Sequence, residues 1–248
     1  MKTMHLIYIL IIASITNIQA QALITDRPDF TESAVVVPFR VVQIESGVER
    51  VNQGDIKETT YPNTLIRAGL GSDLELRLGL SGWKHIVNDN ISENYVNDML
   101  MEVKYQLTNP NAAIPMGILL VATLPTGDDE VSSGAMDFGL KWALARDLSK
   151  ILSFGANVGI ISSRMDDKRQ LQALISTAVG ISINEQLSLF TEAYAIIPQD
   201  AVWQPVLDGG FTFLITKQVQ LDVYTGTELR NSGADIIIGG GLSFMFGY

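Results

Sequence analysis

Acidic and basic side chains recur at alternate positions within otherwise apolar stretches of this chain, as in Leu74-Glu75-Leu76-Arg77-Leu78. Glu45, Arg67, Glu75, Arg77, Glu102, Lys104, Asp137, Lys141, Glu192, Asp208 and Asp222 all have that setting. On an extended chain alternate side chains share a face, so these charges gather on one surface and their apolar neighbours on the other. Two chemistries suit such a surface. The charges can neutralise one another in an internal network, as charge withdrawn from water requires. They can also polarise a passage and set which ions or solutes cross it. Both signs occur as far as Lys141, whereas Gln172, Glu192, Asp208, Asp222 and Glu228 come without a base.

Catalytic chemistry finds little material. Beyond the amino terminus the histidine is His85, close to Trp83, and a Ser-His pair would need a serine aimed at it. Gly-x-Ser-x-Gly is absent. Asp128-Asp129-Glu130 and Asp166-Asp167 are acidic clusters in predicted loops, where oxygen ligands could hold calcium or bridge to lipopolysaccharide through divalent cations. They lack EF-hand spacing, and no His/Cys ligand set exists for zinc. The expectation is a protein that is not an enzyme, with no resident metal and no cofactor.

The elements that must position these charges follow from the same alternation. Segments read as strands lie near 39–51, 61–71, 74–84, 98–108, 112–124, 136–146, 151–161, 170–183, 187–197, 203–215, 218–228 and 234–247. Most match the length that a tilted strand needs to cross a bilayer. Their connections alternate between long and short, the short ones including Ser72-Asp73, Asn109-Pro110-Asn111, Asn184-Glu185-Gln186 and Thr216-Lys217. This rhythm predicts an all-β protein: an antiparallel up-and-down transmembrane β-barrel of about twelve strands over residues 39–248, apolar toward lipid and polar toward the lumen. An even strand number puts both barrel ends at the short-turn rim.

The amino terminus fits that destination. Lys2 and His5 lead into the apolar run Leu6 to Ile15, with Ala20 as the cleavage residue, so residues 1–20 read as a signal peptide. No later run is long and apolar enough for a spanning helix, and without cysteine there is neither a lipoprotein anchor nor a disulfide framework. A mean hydropathy of +0.22 with 47% apolar residues is high for a chain lacking a buried-helix pattern. A net charge of −10 argues against nucleic acid as a partner. Tyr61, Trp83, Tyr105, Trp142, Trp203, Phe213 and Phe246 suit interfacial aromatic belts. Ile236, Ile238, Leu242, Phe244, Phe246 and Tyr248 alternate up to a terminal aromatic, the pattern of a last strand read by the barrel-assembly machinery. Residues 21–38, with Asp26, Arg27, Pro28 and Asp29, precede the first strand. They form either a periplasmic tail turning at Pro28 or a plug folded into the lumen, with Arg27 meeting Glu45 or Glu192.

Thr25-Asp26-Arg27-Pro28-Asp29-Phe30-Thr31-Glu32-Ser33 resembles the opening of the outer-membrane protein family named for a MetA pathway of phenol degradation. Leu124-Pro125-Thr126-Gly127, Asp208-Gly209-Gly210, Leu221-Asp222 and Gly240-Gly241-Leu242-Ser243-Phe244 extend the resemblance over nearly the whole mature chain. It implies a barrel in the cell outer membrane of a Gram-negative-type bacterium, in contact with lipid and lipopolysaccharide, that transports small hydrophobic or aromatic solutes. The expected function is passive passage of a small-molecule solute. The alternative is a plugged structural or adhesion barrel acting through loops 85–97 and 125–135. A third possibility, a secreted soluble barrel holding a lipophilic ligand, requires the leucine faces to point inward.

Overall fold

In the computed structural model of the chain, residues 23–89, 91–165, 168–199, 202–230 and 234–247 are described. The signal peptide, the Asp166-Asp167 pair and Tyr248 lie outside them. Among the described residues the strands are β1 (Val41–Gln53), β2 (Ile56–Gly69), β3 (Leu74–Leu80), β4 (Trp83–Asn88), β5 (Ile91–Val96), β6 (Met99–Gln106) and β7 (Met116–Leu124). The second half supplies β8 (Asp137–Asp147), β9 (Leu152–Met165), β10 (Lys168–Ser182), β11 (Leu187–Pro198), β12 (Gln204–Thr216), β13 (Val219–Glu228) and β14 (Ile236–Gly247). Each wall strand pairs antiparallel with its neighbours, and β1 pairs with both β2 and β14, closing a twelve-stranded barrel. Closure leaves the wall no edge, so its backbone groups need no water.

Alternation decides which side chain faces where. In β3, Glu75 and Arg77 are buried while Leu74 and Leu76 stand on the outside, 37% and 40% exposed. The same holds around the wall, with Leu120, Phe138, Val158, Ile160, Ile175, Leu207, Val223 and Ile238 all outward. Tyr61, Trp83, Tyr105, Trp142, Trp203, Phe213 and Phe246 are exposed too, as rings at a lipid–water boundary would be. Leucines that face outward overturn the soluble barrel with an apolar interior.

Three features depart from the sequence reading. The strands beginning at 74 and 98 run on beyond a bend as β4 and β5, so residues 85–97 form a hairpin rather than a loop. The bend is at Gly82, whose φ of 58° suits glycine; a Cβ there would meet the Tyr61 and Pro62 carbonyls of β2. Likewise β1 and β2 continue to a tight turn at Gly54-Asp55, where a longer loop was expected over 52–60. The cause is that a hydrogen-bonded ladder can continue into water, where nothing imposes apolar alternation. At the other rim, the connection 107–115 is longer than Asn109-Pro110-Asn111 alone.

Candidate functional site

Residues 23–40 contribute no strand to the wall. They begin at the short-turn rim, where the Leu23 N–H meets the Lys217 carbonyl at 3.1 Å, and run inside the barrel before joining β1. Lumen side chains take their backbone groups one after another. Glu45 of β1 accepts the N–H groups of Asp26 at 3.0 Å and Arg27 at 2.8 Å. Glu192 of β11 accepts those of Phe30 at 2.6 Å and Thr31 at 2.5 Å, and Asn157 of β9 accepts that of Glu32 at 2.7 Å. On the return, Gln106 of β6 accepts from Val36 at 3.1 Å and Glu75 of β3 from Val37 at 2.6 Å.

The side chains of the segment complete a charge network. Asp26 is its hub: Oδ2 lies 3.2 Å from Arg67, 3.0 Å from Arg77 and 3.4 Å from Lys104, and Oδ1 accepts the Ser33 N–H at 2.6 Å. Burial alone raises the Asp26 carboxyl, but Arg67, Lys104 and Arg77 outweigh it and hold the group well below the usual carboxylate range. Glu32 pairs with Arg77 and, at 2.6 Å, with Lys141; burial opposes its charge, yet Arg77 and Lys141 bring it down to about 2. Arg67 donates to both oxygens of Glu75, at 2.7 and 3.1 Å, and to Glu45 at 2.9 Å. Arg77 also faces Glu102 at 2.8 Å. Charges this deep persist because each faces counter-charges, Asp26, Glu32, Glu45 and Glu75 through hydrogen bonds as well.

The expected partners of Arg27 are corrected. Its guanidinium pairs with Asp222 of β13 at 3.1 Å, while Glu45 and Glu192 bind backbone N–H groups of the segment. The turn at Pro28 presents the amides to Glu45 and sends the Arg27 side chain across Gly47 and Gly241, which pair at the β1–β14 seam. A Cβ on Gly241 would lie 2.6 Å from Arg27 Nε.

Above the segment, toward the long-loop rim, lies a cavity of about 410 Å³. Asp29, Phe30, Glu49, Leu65, Leu100, Glu102, Lys141, Tyr194, Asp208 and Tyr224 are among its lining residues. A second, much smaller space of about 10 Å³ lies between Ile24, Val35 to Pro38, Gln43, Arg67 and Met245.

The sequence profile of one family matches residues 25–246, from the first residue of the inner motif almost to the end of β14. The chain belongs to the family described as "Putative MetA-pathway of phenol degradation". No curated protein sequence matches it. Among solved structures it is similar to an outer membrane channel from Pseudomonas putida F1, with a TM-score of 0.67 and 14% identity over 90% of this chain and 100% of that one. It is also similar to the NanC porin, with a TM-score of 0.59 and 13% identity over 82% of this chain and 98% of that one. The KdgM porin gives a TM-score of 0.58 and 9% identity over 82% and 99% of the two chains. At these identities the likeness is one of fold, the closed outer-membrane type of barrel.

In this member of the phenol-degradation family, Glu45, Arg67, Glu75, Arg77, Glu102, Lys104, Lys141, Glu192, Asp208 and Asp222 all point into the barrel. Asp137 is apart, at the long-loop rim, paired with Arg169 at 2.8 Å. His85 meets Asn94 at 2.9 Å across the β4–β5 hairpin. The Asp128 carboxylate accepts the Val96 N–H at 2.6 Å. Sequence reasoning missed the roles of Tyr194, Tyr224, Gly47 and Glu32. The two tyrosines share inward parity with Glu192 and Asp222, two positions before each, which was the available signal.

Proposed function

We propose that this protein resides in the outer membrane as a passive channel for small solutes, hydrophobic and aromatic ones among them, with residues 21–38 as its plug. The observation that carries the reading is the relation of wall to filling. A twelve-stranded barrel is wider than its own inward side chains fill, and here the remaining space is taken by chain that precedes the first strand. From Ile24 to Val37 the hydrogen bonds described between segment and wall run through wall side chains, as at Glu45, Glu192, Asn157, Gln106 and Glu75. Such a segment can leave without breaking one rung of the barrel ladder. The cavity already reaches it from the long-loop side. The family description, which refers to phenol degradation, agrees with small aromatic solutes.

Swelling of proteoliposomes tests passage. In glycine and in phenylalanine, liposomes holding a variant without residues 21–38 should swell faster than empty ones, the intact protein falling between, while raffinose is excluded from all. Swelling equal to empty liposomes in every case contradicts the reading. That result would favour a structural or adhesion barrel, for which the braced loop 125–136 is the supporting observation: Asp98 accepts the N–H groups of Thr126 at 2.9 Å and Gly127 at 2.8 Å and the Ser132 hydroxyl at 2.9 Å.

A further inference from the structure

The cavity above the plug is divided by charge. Along β3, β6 and β8 its bases are matched: Arg77 by Asp26, Glu32 and Glu102, and Lys141 by Glu32. The opposite side, formed by β1, β12 and the tip of the inner segment, presents Glu49, Asp208 and Asp29. Arg27, the base on that side, pairs with Asp222 at 3.1 Å through Nη2, while its buried Nε has no hydrogen-bond partner. Asp208 is only 9% exposed, and its Oδ1 has no hydrogen-bond partner. Oδ1 of Asp29 is buried without a partner as well. Burial pushes the Asp29 carboxyl up, and the neighbouring Glu192 and Asp208 push it further. Glu49 accepts the Tyr224 hydroxyl at 2.6 Å.

A buried carboxyl without counter-charge holds a proton until a cation arrives to share the site, and inward positions of a lumen strand could hold Ser or Asn in place of an acid. A metal ion does not fit between these acids, because among the described residues no three acids converge closely enough to hold one. A body large enough to face both Asp29 and Asp208 fits the space better. Aromatic and apolar surface adjoins the acids: Phe30 stacks on Tyr194 with ring centroids 4.1 Å apart and planes 11° from parallel, and Tyr224, Leu65 and Leu100 complete the lining. Carboxylates beside aromatic rings are surroundings an ammonium or guanidinium group prefers, and the Lys141 ammonium already lies 6.0 Å from the Phe30 ring centroid; the volume suits one small molecule.

We propose that this vestibule binds a small organic cation with an apolar or aromatic body, its charge between Asp29 and Asp208 and its body against Phe30, Tyr194 and Tyr224. The inference deepens the channel reading by naming a solute class. It rests on that reading for the solute's route and not for its binding.

Titration calorimetry on the full mature chain, folded in detergent, separates the two. The probe is benzylammonium, compared with benzyl alcohol and benzoate. Benzylammonium should bind about tenfold more tightly than either. Asp208→Asn and Asp29→Asn should each weaken it about fivefold or more without lowering the temperature at which the folded gel band is lost. That combination is one a merely structural acid would not give. Equal affinity for the three probes overturns the proposal. So does the absence of binding heat from a barrel whose gel migration shows it folded, or an Asp208→Asn variant that loses stability and keeps its affinity. Cation binding in a barrel that passes no solute would overturn the channel reading alone, and passage without cation binding would overturn this site alone.

Discussion

Arg27 lies where two glycines leave it room. Gly47 and Gly241 face one another across the β1–β14 seam, and the guanidinium crosses them to reach Asp222 at 3.1 Å. Arg27→Ala should leave Asp222 buried without its counter-charge and cost about 2 kcal/mol in urea unfolding. Adding Asp222→Asn should recover part of that loss, since a coupled pair is not additive. Full additivity would show that the pair does not hold the segment. Asp26 has more at stake, with three bases within 3.4 Å. Asp26→Asn should destabilise the folded state by about 3–5 kcal/mol, because it strands buried positive charge; a change below about 1 kcal/mol in the same assay would contradict the hub. The inward direction of these residues was legible in the sequence, because parity alone assigns a face. Their partners were not. Arg27 and Asp222 are 195 residues apart, and parity carries no information about the height at which residues meet across a lumen.

The inner segment, as an element, is held by acids of depressed pKa. Glu32 and Asp26 stabilise its docking while ionised, fully above the ordinary carboxylate range near 4. Their contribution fades as pH falls toward the folded value of about 2 for Glu32. Asp29, held high by burial, works in the other direction and favours docking as it takes up its proton, so protease protection of the segment should not fall between pH 7 and about 5 and should decline only below about 4. Protection lost near pH 6 would point to other groups. At the opposite rim, Asp98 organises the Pro125-Thr126-Gly127 corner by three hydrogen bonds. Asp98→Ala should speed cleavage of loop 125–136 by an acid-specific protease about tenfold, read by mass spectrometry, while the barrel stays folded. The wall strands were legible because lipid outside and water inside enforce strict alternation. The β4–β5 hairpin and the extended β1–β2 tip were not, since in water a strand of mixed polar residues reads as a loop.

At the scale of the whole molecule, the chain carries a net charge of −10, and the charges that face the lumen are unevenly distributed there. The β2–β3–β6–β8 sector is neutralised within itself and by the inner segment. The sector of β1, β11, β12 and β13 keeps an excess of acids, which should make any open passage select cations over anions. The fold class, the closing last strand and the inner location open to residues 21–38 were all readable from the order of residues. What the order left undecided was whether that segment hangs below the barrel or enters it. That choice depends on complementary charge across the lumen, such as Glu45 and Glu192 presenting oxygens to successive N–H groups.

Single-channel recording in a planar bilayer addresses the plugged-channel claim most directly, with the mature protein and a variant lacking residues 21–38 side by side. The expected result is a closed or briefly flickering intact protein and stable, cation-selective steps from the shortened one. Silence from both, with gel migration showing each barrel folded, would contradict the claim, and so would identical steady conductance from both.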